Sequence, residues 1–421
     1  MRFYLEDYCR KKGLAAIFSM YRYVRSIHKS HNIKSLANLA DLLMHVPHTS
    51  FSASIQKRGH LIAKSVIETL AEKDNVSLNW TVLLKPPGRY NEPGVLMVSF
   101  ETELLKLLRA RRLSSLLDSY QICFLPTWQP FFSKEVFLLA SISKRPFFIL
   151  PSNLGEKKLC ESFSANCQYI PLHAASWVNP DLYHRDTVKK DIDIVMLANF
   201  ARHKRHWKLF EALRFMPENL NVCLYGVARG HRTGQELRKE ASYFNVASRF
   251  TIVESAPDEV IRNALARSRL FCAFTHREGS YVGVAEALMA GVPVAMFRDA
   301  HIGTKVYLNK DTGFLLDPGR PLAPQLLTAL ARVDSMDPMS WAREHIASEK
   351  NSAILNKYLQ VNAKEQGGSW AKDIEPVYSQ RFDFYYHRGQ KMEEKMSFHY
   401  QQIKDDYGVN IVRPDYHVPG S

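Results

Sequence analysis

From residue 192 to 333 the chain repeats one unit, a short apolar run followed by a stretch whose apolar residues recur at helical spacing. The runs fall at 192–197, 222–226, 250–254, 270–274, 292–297 and 313–316. The helical stretches fall at 207–213, 235–244, 257–267, 282–290 and 323–333. Continuous apolar runs of this length suit strands buried on both faces, and parallel strands need a crossover between them. Six runs with five crossovers therefore predict a doubly wound parallel sheet. Sheets of that kind bind ligands beyond the carboxyl ends of their strands, so the loops after each run are where chemistry is sought.

A weaker version of the same rhythm precedes it, with apolar runs at 80–84, 95–100, 121–126, 146–150 and 168–172. The polar, proline-bearing stretch 174–190 breaks the pattern and reads as a linker. With 421 residues, and domains of ~100–200 residues the norm, two α/β domains and an appendage are expected. We place them at 1–178, 187–335 and 336–421. The last loses the alternation, looks helical at 340–360, breaks at Gly367-Gly368 and is rich in Tyr, Phe, Lys and Glu over 376–407.

Charge is uneven. Lys and Arg number 56 against 42 Asp and Glu, a formal +14. Up to residue 185 there are 24 basic and 14 acidic residues, and after it 32 and 28. Nucleic acid, an anionic membrane or a phosphorylated substrate each suits such a surplus. No helix-turn-helix, zinc finger or RNA-binding aromatic motif is present, so nucleic acid is not expected. The six cysteines show no metal-ligand spacing and no disulfide framework, which makes the cytoplasm the default compartment. Residues 13–21 form a short apolar stretch without a convincing cleavage site, and no window nears the ~20 apolar residues of a membrane span.

The densest constellation is Glu278-Gly279-Ser280-Tyr281-Val282-Gly283-Val284-Ala285-Glu286, leading through Gly291-Val292-Pro293 into the next run. Glu278 stands at a strand's carboxyl end and Glu286 on the following helix. The first amides of that helix, at Val282, Gly283 and Val284, form an anion site. The two carboxylates accept hydrogen bonds from sugar and ribose hydroxyls on either side of it. Either glutamate alone reads as a helix-start acid offsetting the dipole.

A second constellation follows the first strand: Arg202, Lys204, Arg205 and Lys208 crowd a loop and helix start. Alone, it reads as a solvated basic face. Its place after the first strand of a doubly wound sheet favours an anionic ligand.

Together these stretches resemble the E-x7-E motif and cationic loop of the retaining GT-B glycosyltransferases of family 4. That motif is usually E-G-F-G-x-x-x-x-E-A-x-A-x-G-x-P-V. Both glutamates, Gly279, Ala287, Gly291 and Pro293 are kept, and Ser280-Tyr281 stand where Phe-Gly is common. The resemblance covers about residues 168–335 well and the first domain in outline. It implies a GT-B architecture, two Rossmann-like domains facing a cleft, with a C-terminal helical segment. It also implies transfer of a sugar from a nucleoside-diphosphate sugar to a glycan or lipid-linked acceptor, with retention, no cofactor and no required metal.

By the resemblance, Lys204 takes the family's diphosphate lysine position. Asn199 occupies the arginine position, leaving Arg202 or Arg205 to take over. Glu278, Lys204 and Arg202 become the expected catalytic residues. Glu286, Val282, Gly283, Val284, Arg205, Gly226 (end of the second strand) and Glu254 (end of the third) become donor contacts. Ser54 to Ile62 resembles the first-domain glycine loop, which makes Gly59 a further contact and places His60 beside it. A GT-B epimerase or hydrolase of sugar nucleotides, or a non-catalytic nucleotide-sugar or glycan binder, are the other classes compatible with these residues.

Three features point elsewhere and are read as structural. Asp191-Ile192-Asp193 is formally a D-x-D, but at the amino end of a strand. His45 and His48 lack a third metal ligand. The helical pattern over 103–117 has a cationic face, Arg109, Arg111 and Arg112 included. It is read first as an ordinary domain helix and second as a peripheral contact with anionic lipid at the inner membrane face.

Overall fold

In the computed structural model of the chain, the structure describes residues 75–126, 134–153, 157, 160, 166–183, 188–380 and 382–415. Gly59, His60, His45 and His48 lie outside the described residues.

The second half contains a six-stranded, wholly parallel sheet. Its order is Gly313–Leu316, Val294–Phe297, Ser268–Ala273, Ile192–Leu197, Val222–Gly226, Thr251–Glu254. In order along the chain these strands are the sixth, fifth, fourth, first, second and third, the doubly wound Rossmann order. The order reverses between Ile192–Leu197 and Ser268–Ala273. That gap is the topological switch point, where the loops leaving the two strands diverge and a crevice opens. Helices cover both faces, so the central strands are largely buried, and Phe271, Cys272 and Ala273 have no exposed surface.

Helix starts follow from local chemistry. Thr233 caps Gly234–Ser242 by accepting from Glu236 N–H, and Glu254 adds a second cap by accepting from Gly234 N–H at 2.8 Å. Asp337 caps Pro338–His345, with the proline at the first helical position, where its missing N–H costs nothing.

The first half carries a five-stranded sheet, ordered Thr81–Lys85, Gly94–Ser99, Tyr120–Leu125, Phe147–Ile149, Cys167–Tyr169. The first pair is antiparallel and the others are parallel. The two-sheet α/β plan is thus the one the sequence predicts. The cationic stretch 103–117, expected as one helix, is two: Glu101–Leu107 and Leu113–Ser119, separated at Arg112, which adopts a left-handed backbone (φ 55°). Arg111 and Arg112 donate to the carbonyls of Asp405 and Asp406 near the end of helix Gln390–Tyr407, where cations suit the last carbonyls of a helix.

Two buried cores result, one around each sheet. The chain crosses between them at residues 174–178, where Trp177 joins the first core and Val178 the second. It crosses back beside that point: Ser348 N–H donates to the Val178 carbonyl at 3.0 Å, and Leu355 and Leu359 of helix Ser348–Glu365 enter the first core. The C-terminal stretch is helical as expected, but also holds the hairpin Val377–Gln380 with Asp383–Tyr386 and the strand Val409–Ile411, which pairs with Val76–Leu78. Sequence reading missed these because each strand is only three or four residues long and Val409–Ile411 pairs with a strand more than 300 residues away. Among the described residues no helix is long and apolar enough to cross a membrane.

Candidate functional site

The two loops at the switch point bring Lys204 and Glu278 together. Lys204 ends the short helical turn Arg202–Lys204 after the first strand, and Glu278 lies in Arg277–Glu278, just after the fourth. The Lys204 ammonium forms an ion pair with Glu278 Oε1, and the lysine side chain is only 5% exposed. Glu278 Oε2 is buried and has no hydrogen-bond partner. A buried carboxylate oxygen left without a donor is costly.

Tyr281 lies under the pair and was not singled out by the sequence. It occupies the position where glycine is common in the resembling motif, and its backbone is left-handed (φ 33°), a conformation glycine adopts freely and tyrosine does not. Two contacts hold it there. Its hydroxyl donates to the Leu197 carbonyl at 3.0 Å, and the Lys204 ammonium sits 4.4 Å from its ring centroid. Burial pushes its phenol well above the ordinary range. The signal available in the sequence was the departure from the motif itself.

Helix Val282–Met289 follows. Val282 and Gly283 open it, while the Val284 N–H, expected to face a ligand anion, is bonded to the Tyr281 carbonyl at 3.0 Å. Glu286 is half-buried on this helix. It is one of the charges that raise the phenol of Tyr183, after burial itself, which places Glu286 beside the interdomain crossing.

The other expected residues are more dispersed. Arg205 adopts φ 58° at the start of helix His206–Leu213, and its guanidinium lies 5.4 Å from the Phe297 ring and 5.7 Å from that of Trp207. Arg202 lines a recess with Trp207, Arg232, Glu236, Lys239, Glu240 and Tyr243. Gly226 is required by packing, because a Cβ there would lie 2.1 Å from the Ala198 carbonyl oxygen. Glu254 uses its carboxylate on the Gly234 N–H. Asp191 and Asp193 pair with Arg267 and Arg269, the structural role expected of them.

The motif loop is also where the two halves meet. Ser280 Oγ donates to the Pro126 carbonyl at 3.4 Å. Gly279 accepts from Gly303 N–H at 2.9 Å. Gly303 in turn lies against the first half, where a Cβ would come within 1.5 Å of the Ser152 carbonyl oxygen and 2.6 Å of His173 Nε2. His173 is 2% exposed, and its Nδ1 accepts from Ala175 N–H at 3.0 Å. Its Nε2 makes no hydrogen bond of good geometry, though the backbones of Ser152 and Gly303 lie beside it. Burial pulls its pKa down to about 4, so the ring is neutral. The carboxyl ends of the first sheet's strands therefore face the switch point of the second.

Comparison with known proteins agrees with this geometry over part of the chain. Residues 183–333 match the family model described as glycosyl transferases group 1. A trehalose phosphorylase from Grifola frondosa is 29% identical over 147 residues, 32% of this chain. The match spans only 20% of that protein. Among solved structures, a sucrose-phosphate synthase from Thermosynechococcus elongatus is similar with a TM-score of 0.49 and 17% identity, covering 65% of this chain and 74% of that one. HepE from Anabaena, solved with UDP, is similar with a TM-score of 0.49 and 13% identity, covering 74% and 84%. At these values the structural likenesses concern the course of the backbone and nothing about a ligand of this chain.

Proposed function

We propose that this chain is a GT-B glycosyltransferase resembling family 4, which moves a sugar from a nucleoside-diphosphate sugar to a glycan or lipid-linked hydroxyl acceptor with retention of configuration. The observation that carries the reading is the Lys204–Glu278 pair at the switch point, inside the stretch that matches glycosyl transferases group 1. In the reaction the C1–O bond to the leaving diphosphate breaks while the acceptor oxygen bonds C1 on the same face. The acceptor's proton passes to a diphosphate oxygen. Negative charge grows on the leaving group as positive charge grows at C1. A cation fixed beside the diphosphate favours that charge distribution over the ground state.

Lys204 is that cation, and Glu278 compensates its charge until the donor's phosphates arrive. Arg202 and Arg205 supply further positive charge at the same loop. The free oxygen of Glu278 accepts a hydroxyl of the donor sugar, and Glu286 accepts the ribose. Gly59 and Glu254 complete the donor contacts. The reading requires no divalent metal, since Lys204, the arginines and the helix-start amides of Val282 and Gly283 balance the diphosphate. We place the enzyme in the cytoplasm, with its basic first half turned to an acceptor or to the inner membrane face.

The test is transfer from a panel of UDP and GDP sugars by the wild type, Lys204→Ala and Glu286→Ala. Loss of transfer in both variants with the fold intact is expected. Wild-type turnover in both contradicts the assignment.

A further inference from the structure

The chain crosses between its two halves twice, and the crossings are bonded to each other. Ala347 forms a parallel bridge with Val178, Ser348 N–H donates to the Val178 carbonyl, and the Asn351 amide donates to the Ser176 carbonyl at 2.7 Å. This sets the turn Pro180–Leu182 beside the start of helix Ser348–Glu365. The chain leaving strand Asp383–Tyr386 reaches the same place, since His387 Nε2 lies 2.9 Å from Ser348 Oγ.

Three side chains converge there, one from each segment. Asp181, Glu349 and His387 each bring a ligand atom to within 4.8 Å of the others. None of them belongs to the donor site. The imidazole is the fixed member: its side chain is 9% exposed, its backbone N–H donates to the Pro376 carbonyl at 3.1 Å, and Tyr378 meets the ring edge-on with centroids 5.2 Å apart. With Nε2 at Ser348, Nδ1 is the nitrogen left to face a ligand. Asp181 is set by its turn, where its N–H donates to the Asn179 side chain at 3.0 Å.

His387 Nδ1 is 3.4 Å from Glu349 Oε1. That is long for a charge-assisted hydrogen bond of ~2.7–2.9 Å, and close to the ~3.3 Å between two atoms each ~2.0–2.1 Å from one tetrahedral metal ion. Among the described residues neither carboxylate pairs with a lysine or arginine. Arg343, beside this turn, is bonded to the carbonyls of Pro180 and Tyr183 instead. Two acids this close repel each other unless a cation lies between them.

We propose that Asp181, Glu349 and His387 Nδ1 bind one divalent transition-metal ion of the zinc type, which pins the two interdomain crossings and the end of the hairpin together. One imidazole nitrogen with two carboxylate oxygens suits zinc better than magnesium or calcium, which take oxygen ligands. Ligation through Nδ1 puts the ring proton on Nε2, which then donates to Ser348 Oγ. Such an outer contact is what orients a ligating histidine. The role is structural and stands apart from the transferase reading.

The experiment is calorimetric titration of the chelator-treated full chain with Zn2+, with Mg2+ and Ca2+ as oxygen-preferring controls, repeated on His387→Gln and Asp181→Asn. Asp181 is exposed, and its amide has the same shape, so the second variant keeps the fold even where the first does not. Near-ultraviolet circular dichroism checks both. Expected are one tight zinc site on the wild type, a Tm raised by several degrees when it is filled, and no comparable binding of Mg2+ or Ca2+. Removing a ligand costs at least what removing an outer contact does, so zinc affinity should weaken about tenfold or more in each folded variant.

A wild type that binds no zinc overturns the proposal and leaves His387 and Glu349 as an ion pair. Wild-type affinity in folded Asp181→Asn overturns it too, by assigning the metal to other residues. Magnesium or calcium bound as tightly as zinc overturns the choice of metal.

Discussion

Lys204 and Glu278, 74 residues apart, form an ion pair at the point where the second sheet reverses its strand order. Removing one partner strands the other. Lys204→Ala leaves Glu278 half-buried with neither oxygen paired, and is expected to cost about 3 kcal/mol of stability, the low end for buried pairs because Glu278 keeps some exposure. The double variant Lys204→Met with Glu278→Leu should recover most of that loss. Urea unfolding of the three variants measures it, and a double variant no more stable than Lys204→Ala contradicts it.

Tyr281 is held in a left-handed backbone by its hydroxyl bond to Leu197 and by Lys204 over its ring. Tyr281→Phe keeps the ring and removes the bond, leaving the Leu197 carbonyl without that donor. A loss of about 1–2 kcal/mol is expected, together with weaker binding of the sugar nucleotide as the loop relaxes. Urea unfolding and a donor titration on the same variant read the two effects.

Two buried histidines make stability depend on acid. Burial pulls His173 down to about 4 and His206 to about 3, with nearby Arg232 and Lys204 adding to the second. Their folded values lie below the ordinary 6.5, so the unfolded chain takes up protons first. Stability is therefore full above pH 6.5 and falls as pH drops toward 4, by roughly 3 kcal/mol for His173 across that window. Chemical unfolding at pH 7.5, 6 and 4.5 should show a shallower decline for His206→Leu than for the wild type, and parallel curves would contradict the role given to burial.

Gly303 holds the two halves at close range, with the Ser152 carbonyl and the His173 ring where a side chain would begin. Gly303→Ala must push that backbone contact apart. The expected result is a loss of about 1–3 kcal/mol, as for overpacked cores, and a larger radius of gyration by small-angle scattering as the halves separate. An unchanged radius and Tm would show that the contact yields without consequence.

The second sheet was legible in the sequence almost strand for strand, because its inner strands are apolar and largely buried and each strand is bounded by a crossover. Strands 192–197, 222–226 and 313–316 were placed to the residue. Its sheet order was not legible, and with it the switch point that makes the loops of Lys204 and Glu278 neighbours. Each was picked out by its own motif, but their ion pair is a product of the order. The stretch 103–117 was misread as one helix because its apolar spacing continues through a turn made by Arg112. Tyr281 was visible only as a departure from a glycine.

The switch-point loops are expected to bind a nucleoside-diphosphate sugar through Lys204. Calorimetric titration of the wild type and Lys204→Gln with UDP and GDP sugars tests it most directly, with near-ultraviolet circular dichroism confirming that the variant is folded. Expected are one saturable site on the wild type for at least one sugar nucleotide and affinity weakened by about 100-fold or more in the variant, the loss of a charge-assisted contact to phosphate. Absence of binding by the wild type to every sugar nucleotide, or equal affinity in a folded variant, would contradict it.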